Sequence, residues 1–144
     1  DAIACVELGG VPIGTAVSLE LNKPLIIIRK QPKDHGISSP IIGEVKRGMV
    51  VLLVEDVTTT GGSAIKAIEA LRNAGSIVFY AISVVDRDEG AHQNLDKIGV
   101  DLIFLVSARE LLERQKTNNK ISAEEEQYID NIKNSIPPGQ ASPL

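Results

Sequence analysis

The chain has 144 residues, 43% of them hydrophobic, enough for one domain with a real core. Aromatics are only 3% and Trp is absent, so the core must be Ile, Val, Leu and Ala, which suits a parallel sheet packed by helices. A net charge of −4 argues against a general nucleic-acid binder, one cysteine excludes an internal disulfide, and no apolar stretch approaches the about 20 residues of a membrane span.

Residues 2–6, Ala-Ile-Ala-Cys-Val, predict a buried strand, with Cys5 a small core residue and not a nucleophile. The chain starts at Asp1, without Met, directly before that strand, and no secretory leader is expected. With its one thiol it is expected in a reducing compartment, the cytoplasm. Glu7-Leu8-Gly9-Gly10 makes a turn whose glycines permit close backbone approach and unusual dihedrals. Residues 11–21 carry apolar side chains at spacings of three and four and predict a helix, broken by Asn22-Lys23-Pro24. Residues 25–28 predict a second strand. Residues 29–40 form a polar loop with Pro32, Gly36, Pro40 and the cations Arg29, Lys30, Lys33 and His35. Residues 41–45 predict a short strand and Lys46-Arg47-Gly48 a turn.

Residues 50–54, Val-Val-Leu-Leu-Val, are the central strand. Glu55 and Asp56 follow at its carboxyl end, where open α/β sheets bind ligands. Thr58, Thr59, Thr60, Gly61, Gly62 and Ser63 then offer hydroxyls and backbone N–H groups at a helix N-terminus, an anion cradle. That helix is expected over 63–73, with Ala64, Ile65, Ile68 and Leu71 apolar and Gly75 as a left-handed cap. A strand over 77–85, a charged turn over 86–90, a short helix over 91–98 and a strand over 101–106 come next. Ser107 caps a helix to about Arg114. Residues 115–120 read as a linker, 122–136 as a helix opened by a Ser122/Glu125 capping box, and 137–144 as a frayed tail. The alternation predicts an α/β fold: an open, Rossmann-like parallel sheet flanked by helices, with right-handed crossovers. The core is expected over 1–116, with a C-terminal helix and tail over 117–144.

Acids suit sugar hydroxyls and N–H groups suit a phosphate, so residues 55–63 point to a phosphorylated sugar. A Thr/Gly loop alone would be an ordinary strand–turn–helix junction. Adjacent acids tip the balance, because unpaired carboxylates are costly to bury. A Walker-type nucleotide loop needs a Lys before the Ser, and Gly62-Ser63 has none. The apolar run followed by Glu-Asp-Val-Thr-Thr-Thr-Gly-Gly-Ser resembles the phosphoribosyl pyrophosphate (PRPP) motif of type I phosphoribosyltransferases. The resemblance covers nearly the whole chain in the family's order. It implies that family's fold, with Glu55 and Asp56 holding the ribose hydroxyls and Asp56 also stabilising charge on the sugar. It implies that Thr58, Thr59, Thr60, Gly61, Gly62 and Ser63 wrap the 5-phosphate.

A bare cation cluster is most simply a solvated loop. Four cations within residues 29–35 of an acidic chain fit a loop that stabilises a departing pyrophosphate and excludes water. His35 adds a group titrating near neutrality. Arg29-Lys30-x-x-Lys33-x-His35-Gly36 resembles the catalytic loop of orotate phosphoribosyltransferases. That resemblance implies that Arg29, Lys30, Lys33 and His35 bind pyrophosphate or assist its departure, with Asp34 the family's acidic loop residue. It also implies a homodimer in which loop 29–36 acts across the interface. Asp86-Arg87-Asp88-Glu89-Gly90, alone a self-compensating surface turn, resembles the turn whose Arg grips the orotate carboxylate. By this resemblance Arg87 and Thr60 contact orotate. Glu7-Leu8-Gly9-Gly10 corresponds to the family's pyrophosphate loop. Gly9 stands where many bacterial relatives place Lys, so the backbone N–H groups of Gly9 and Gly10 must do more. His92 reads as a solvated helix residue, and Glu124-Glu125-Glu126 as acids complementing a helix dipole.

The implied activity is transfer of phosphoribose from PRPP to orotate, giving orotidine 5′-phosphate and pyrophosphate in pyrimidine synthesis. Mg²⁺ is expected, held mainly by PRPP or pyrophosphate oxygens and water with no direct protein ligand. Neither nucleic acid nor a membrane is expected as a partner. The family's N-terminal hood segment, before the first strand, is expected to be absent. Two alternatives stay open: a purine-type phosphoribosyltransferase, and a non-catalytic PRPP-binding regulatory protein. His35 and Arg87 favour orotate over a purine; Lys30, Lys33 and His35 favour an enzyme. Replacing Lys33 by Ala is expected to lower turnover far more than PRPP affinity in steady-state and binding assays. Equal losses in both would count against a leaving-group role.

Overall fold

The β-branched and leucine runs form the strands of a six-stranded sheet in a computed structural model that describes residues 1–30, 39–117 and 122–135. The strands are β1 (Ala2–Val6), β2 (Leu25–Ile28), β3 (Ile41–Ile42), β4 (Val51–Thr58), β5 (Tyr80–Asp86) and β6 (Asp101–Ser107). The helices are α1 (Gly10–Glu20), α2 (Gly62–Asn73), α3 (Ala91–Asp96), α4 (Ala108–Thr117) and α5 (Ala123–Ser135). Strand order is β3-β2-β1-β4-β5-β6. β3 is antiparallel to β2, and the other pairings are parallel. The expected open α/β sheet with flanking helices is what forms.

Chain direction across the sheet reverses at β1. The chain runs outward to β2 and β3, then returns to place β4 on the other side of β1. Such a switch point leaves a crevice outside the carboxyl ends of the two central strands. The core beneath it is aliphatic, as composition requires. Ala4, Val6, Ile26, Val51 and Leu53 pack with Ala64, Ala67, Ile68 and Leu71 of α2.

Helix α1 packs by a different rule. Its buried positions are Gly10, Gly14 and Ser18, small residues at a spacing of four. A Cβ on Gly14 would sit 2.7 Å from the Cys5 Cβ, so the missing side chain lets α1 close on β1. The apolar spacing read from the sequence is not the buried face: Leu19 and Leu21 are exposed. Cys5 is fully buried there, and burial, reinforced by the Glu55 charge, pushes its thiol up to about 11. It is a packing residue.

Several boundaries differ from expectation. β4 continues past Val54 to Thr58, because Val57 and Thr58 are β-branched and β5 supplies a partner to the end. β3 is only Ile41–Ile42, since Gly43 at φ +113° turns the chain where a Cβ would lie 2.9 Å from the Leu25 carbonyl oxygen. β5 begins at Tyr80, and Ile77 makes only a bridge to Val50. α3 ends at Asp96, where Ile98, Gly99 and Val100 turn their N–H groups back onto Leu95 and Asp96 carbonyls. Gly75, at φ +97°, adopts the expected left-handed conformation after α2.

Helix α4 runs on through Thr117, into the predicted linker. Ser107 and Glu110 form a reciprocal capping box at its start, 2.9 and 3.1 Å. The predicted Ser122/Glu125 box opens α5 at 2.7 and 3.3 Å. Lys116 joins the two helices by ion pairs to Glu126 and Asp130. Residues 118–120 of the predicted linker and the tail 137–144 lie outside the described residues. Among the described residues no helix is long and apolar enough to cross a membrane.

Candidate functional site

The crevice begins where β4 loses one neighbour. Val54 is the last β4 residue paired with β1, opposite Cys5, whereas pairing with β5 continues to Thr58 opposite Asp86. Residues 55–58 are therefore strand on one side and open on the other. The sequence placed Glu55 and Asp56 just beyond the strand; they lie within it, beyond the end of its β1 ladder.

Residues 7–10 face this open side. A Cβ on Gly9 would overlap the Asp56 carboxylate, so the bare backbone of Gly9 is what lets Asp56 sit against the loop. Gly9 has φ −62° and ψ −35°, an ordinary right-handed conformation. Its requirement is space and not the unusual dihedral expected. Gly10 is the first residue of α1, where a Cβ would lie 3.1 Å from the Val54 carbonyl oxygen and 3.5 Å from Glu55 Oε2. The peptide between Glu7 and Leu8 is cis.

The two acids differ in environment. Glu55 is only 6% exposed, while Asp56 is half-buried. Burial first, and then the Asp56 charge, push the Glu55 carboxyl up to about 7; Lys30 pulls the other way. Glu55 thus changes protonation near neutrality. It can accept a hydrogen bond from a sugar hydroxyl or donate one to it.

The cationic segment is anchored at the crevice rim. The Lys30 backbone N–H donates to Glu7 Oε1 at 2.9 Å, and the Arg29 N–H donates to the Pro40 carbonyl at 2.8 Å. Lys30 borders two clefts. One, of about 350 Å³, also has Arg29, Ser63 and Lys66 in its wall; the other, of about 620 Å³, has Glu7, Leu8 and Gly9. Lys66 was missed from the sequence, although a cation three residues after Ser63 on an exposed helix face was the available signal. Lys33, Asp34, His35 and Gly36 lie outside the described residues.

The anion cradle has the expected helix N-terminus, one residue earlier than predicted. Gly61, at φ +80°, precedes α2, and no side chain caps the helix among the described residues. Gly62 and Ser63 are exposed. The first-turn N–H groups are thereby left for an anion. A Cβ on Gly61 would lie 2.7 Å from Leu95 Cδ1, and Asn94 Nδ2 donates to the Thr60 carbonyl at 2.9 Å. Helix α3 therefore buttresses the loop. Nothing in the sequence singled out Asn94, one of two adjacent amides in a short polar helix.

Thr58 is buried, and its hydroxyl donates to Asp86 Oδ1 at 2.9 Å. Thr59 is half-buried and Thr60 exposed. Burial raises the pKa of Asp86, the Thr58 hydrogen bond opposes that, and His92 also lowers it. His92 is half-buried, less open than the solvated residue expected. The Arg87 N–H donates to the Thr58 carbonyl at 2.9 Å, and its guanidinium pairs with Glu89 at 2.8 Å while 57% exposed. An exposed pair of this kind is worth at most about 1 kcal/mol, so an incoming carboxylate can displace Glu89. Among the described residues no three His, Cys, Asp or Glu side chains converge on one metal position. A hard cation bound beside Asp56 would take most of its ligands from substrate oxygens and water.

The sequence profile of the phosphoribosyl transferase domain matches residues 1–128. An orotate phosphoribosyltransferase of Methanocaldococcus jannaschii is 55% identical over 113 residues, covering 78% of this chain and 64% of that protein. Among solved structures, Leishmania donovani UMP synthase superposes with TM-score 0.80 at 35% identity, covering 94% of this chain and 29% of the other. Orotate phosphoribosyltransferase from Aeropyrum pernix superposes with TM-score 0.74 at 39% identity, covering 80% and 64%. The chain thus spans less than two thirds of the length of the relatives it matches.

Glu55 sets a pH dependence of stability. Its folded pKa of about 7 lies above its ordinary 4.5, so the folded state binds the proton more tightly. That contribution is fully present below the unfolded value and is lost as pH rises through the folded one. Glu55→Gln mimics the protonated form. In urea denaturation the variant should exceed wild type at about pH 8 and match it at about pH 4. An equal difference at both would contradict the raised carboxyl.

Proposed function

We propose that this chain, which belongs to the phosphoribosyl transferase family, transfers the phosphoribosyl group of PRPP to orotate, releasing pyrophosphate and forming orotidine 5′-phosphate in pyrimidine biosynthesis. The observation that carries the reading is a convergence at one crevice. The Gly9-Gly10 loop, the Glu55/Asp56 pair and the uncapped start of α2 all border the carboxyl ends of β1 and β4. The names of the relatives supply the base.

In this reading Glu55 and Asp56 bind the ribose hydroxyls. Asp56, the more open of the two, also stabilises positive charge developing at the sugar C1. Thr59, Thr60, Gly61, Gly62 and Ser63 hold the 5-phosphate, with Lys66 adding charge from α2. The backbone N–H groups of Gly9 and Gly10 meet the pyrophosphate. As the orotate ring nitrogen bonds to C1, the C1–O bond breaks and its electron pair leaves with pyrophosphate. Arg29, Lys30, Lys33 and His35 stabilise that departing charge. Orotate's ring nitrogen is already acidic, so positioning and water exclusion do most of the work. Arg87 exchanges Glu89 for the orotate carboxylate, and Thr60 lies beside the base. Mg²⁺, when bound, neutralises the polyphosphate through substrate oxygens and water. We place the protein in the cytoplasm as a homodimer, with loop 29–36 completing the partner's site.

Pyrophosphate release from PRPP in the presence of Mg²⁺ is expected to require orotate. Release with adenine in its place would overturn the base assignment. Arg87→Leu should raise the KM for orotate by about tenfold, the loss of a charge-assisted hydrogen bond, and that for PRPP by much less. Equal shifts in both would remove Arg87 from the base site.

A further inference from the structure

Two hydrogen bonds lie side by side at the carboxyl ends of β4 and β5. Thr58 Oγ1 donates to Asp86 Oδ1 at 2.9 Å, and the Arg87 N–H donates back to the Thr58 carbonyl at 2.9 Å. Thr58 opens the phosphate loop, and Asp86-Arg87 opens the turn assigned to the base. The two are register partners at the last rung of the β4–β5 ladder. Thr58 is 3% and Asp86 4% exposed, so water does not compete for the bond between them.

The network continues beyond the pair. The Asp88 backbone lies near the Asp86 carboxylate and favours its charged form. Asp88 is buried, sits at φ +60°, and its Oδ2 accepts the Arg109 N–H at 3.3 Å in the first turn of α4. One carboxylate therefore ties together the phosphate loop and the turn that carries Arg87, and the turn is anchored to the fold behind it. Asp86 is absent from the walls of both clefts that Lys30 borders. A buried aspartate with a donor aimed at it has a structural use in any fold. Its placement between two ligand-binding segments gives it a second one.

We propose that Asp86 is a positioning residue that clasps the Arg87 turn to the phosphate loop through Thr58, so that filling the sugar-phosphate site prepares the base site. The proposal rests on reading Arg87 as the partner of the base. Removing either side of the clasp leaves a buried polar group unpaired and frees the turn to move independently of the loop. Coupling of this kind is a property of two ligands together, and a purely structural residue does not confer it.

The test compares wild type with Thr58→Val, Asp86→Ala and Thr58→Ser, the last keeping the hydroxyl. Hydrogen exchange at the Arg87 amide is followed with and without PRPP and Mg²⁺, and the KM for each substrate is measured alongside. PRPP should slow Arg87 exchange in wild type, fail to do so in Thr58→Val and Asp86→Ala, and slow it again in Thr58→Ser. The orotate KM should rise by about tenfold in the first two variants, with a smaller rise for PRPP. Slowing in those variants as in wild type overturns the clasp. So do equal rises in both KM values accompanied by a fall in Tm, which mark a purely structural role. If PRPP slows Arg87 exchange in wild type but orotate releases no pyrophosphate, the base assignment fails while the clasp stands on exchange. A wild type that binds no PRPP overturns both.

Discussion

The site depends on an unequal pairing of one strand. β4 is held by β1 only as far as Val54 but by β5 as far as Thr58. The one-sided stretch is short enough to stay in the sheet and open enough to admit a ligand. It fixes two acids in extended backbone, where their positions are set by the ladder and not by a loop. The glycines at 9 and 10, the start of α2 and the Arg87 turn are arranged around that edge. The glycines approach that strand closely and the Arg87 N–H bonds to its Thr58 carbonyl, while the start of α2 is buttressed by α3.

Charge at this edge is managed by depth. Glu55 lies almost fully inside, so its carboxyl stays protonated to about pH 7, and Asp56 beside it is the more open acid. Two adjacent carboxylates rarely share one environment when both have work to do, and burial separates their behaviour. Lys30 counters the inner acid and lies in the walls of both clefts. One cation thereby links the acids to the segment expected to meet the leaving group.

Much of this was legible in the residues. The alternation of strands and helices follows from apolar runs and amphipathic segments, and the nine residues from Glu55 to Ser63 announce acids and an anion cradle. What stayed hidden depends on three-dimensional proximity. The glycine pair announced a close backbone approach, but not that Gly9 makes its own against Asp56 with an ordinary backbone conformation. The periodicity of α1 pointed to large apolar side chains, but the helix buries glycines and a serine because β1 approaches too closely for anything larger. Asn94 and the Thr58–Asp86 pair carry no local signal, since each matters through a partner on another element. The end of β4 was misjudged because two acids look like a strand terminus when the partner strand cannot be seen.

The close approach of Gly9 to Asp56 is the tightest geometric claim in this account, and calorimetric titration with PRPP and Mg²⁺ tests it most directly. A methyl group at Gly9 must displace the Asp56 carboxylate from the crevice edge. Wild type is expected to bind PRPP at one site per chain, and Gly9→Ala to bind about tenfold or more weakly while unfolding in urea as wild type does. Unchanged affinity in Gly9→Ala, or no binding by wild type, would contradict a sugar-phosphate site between β1 and β4.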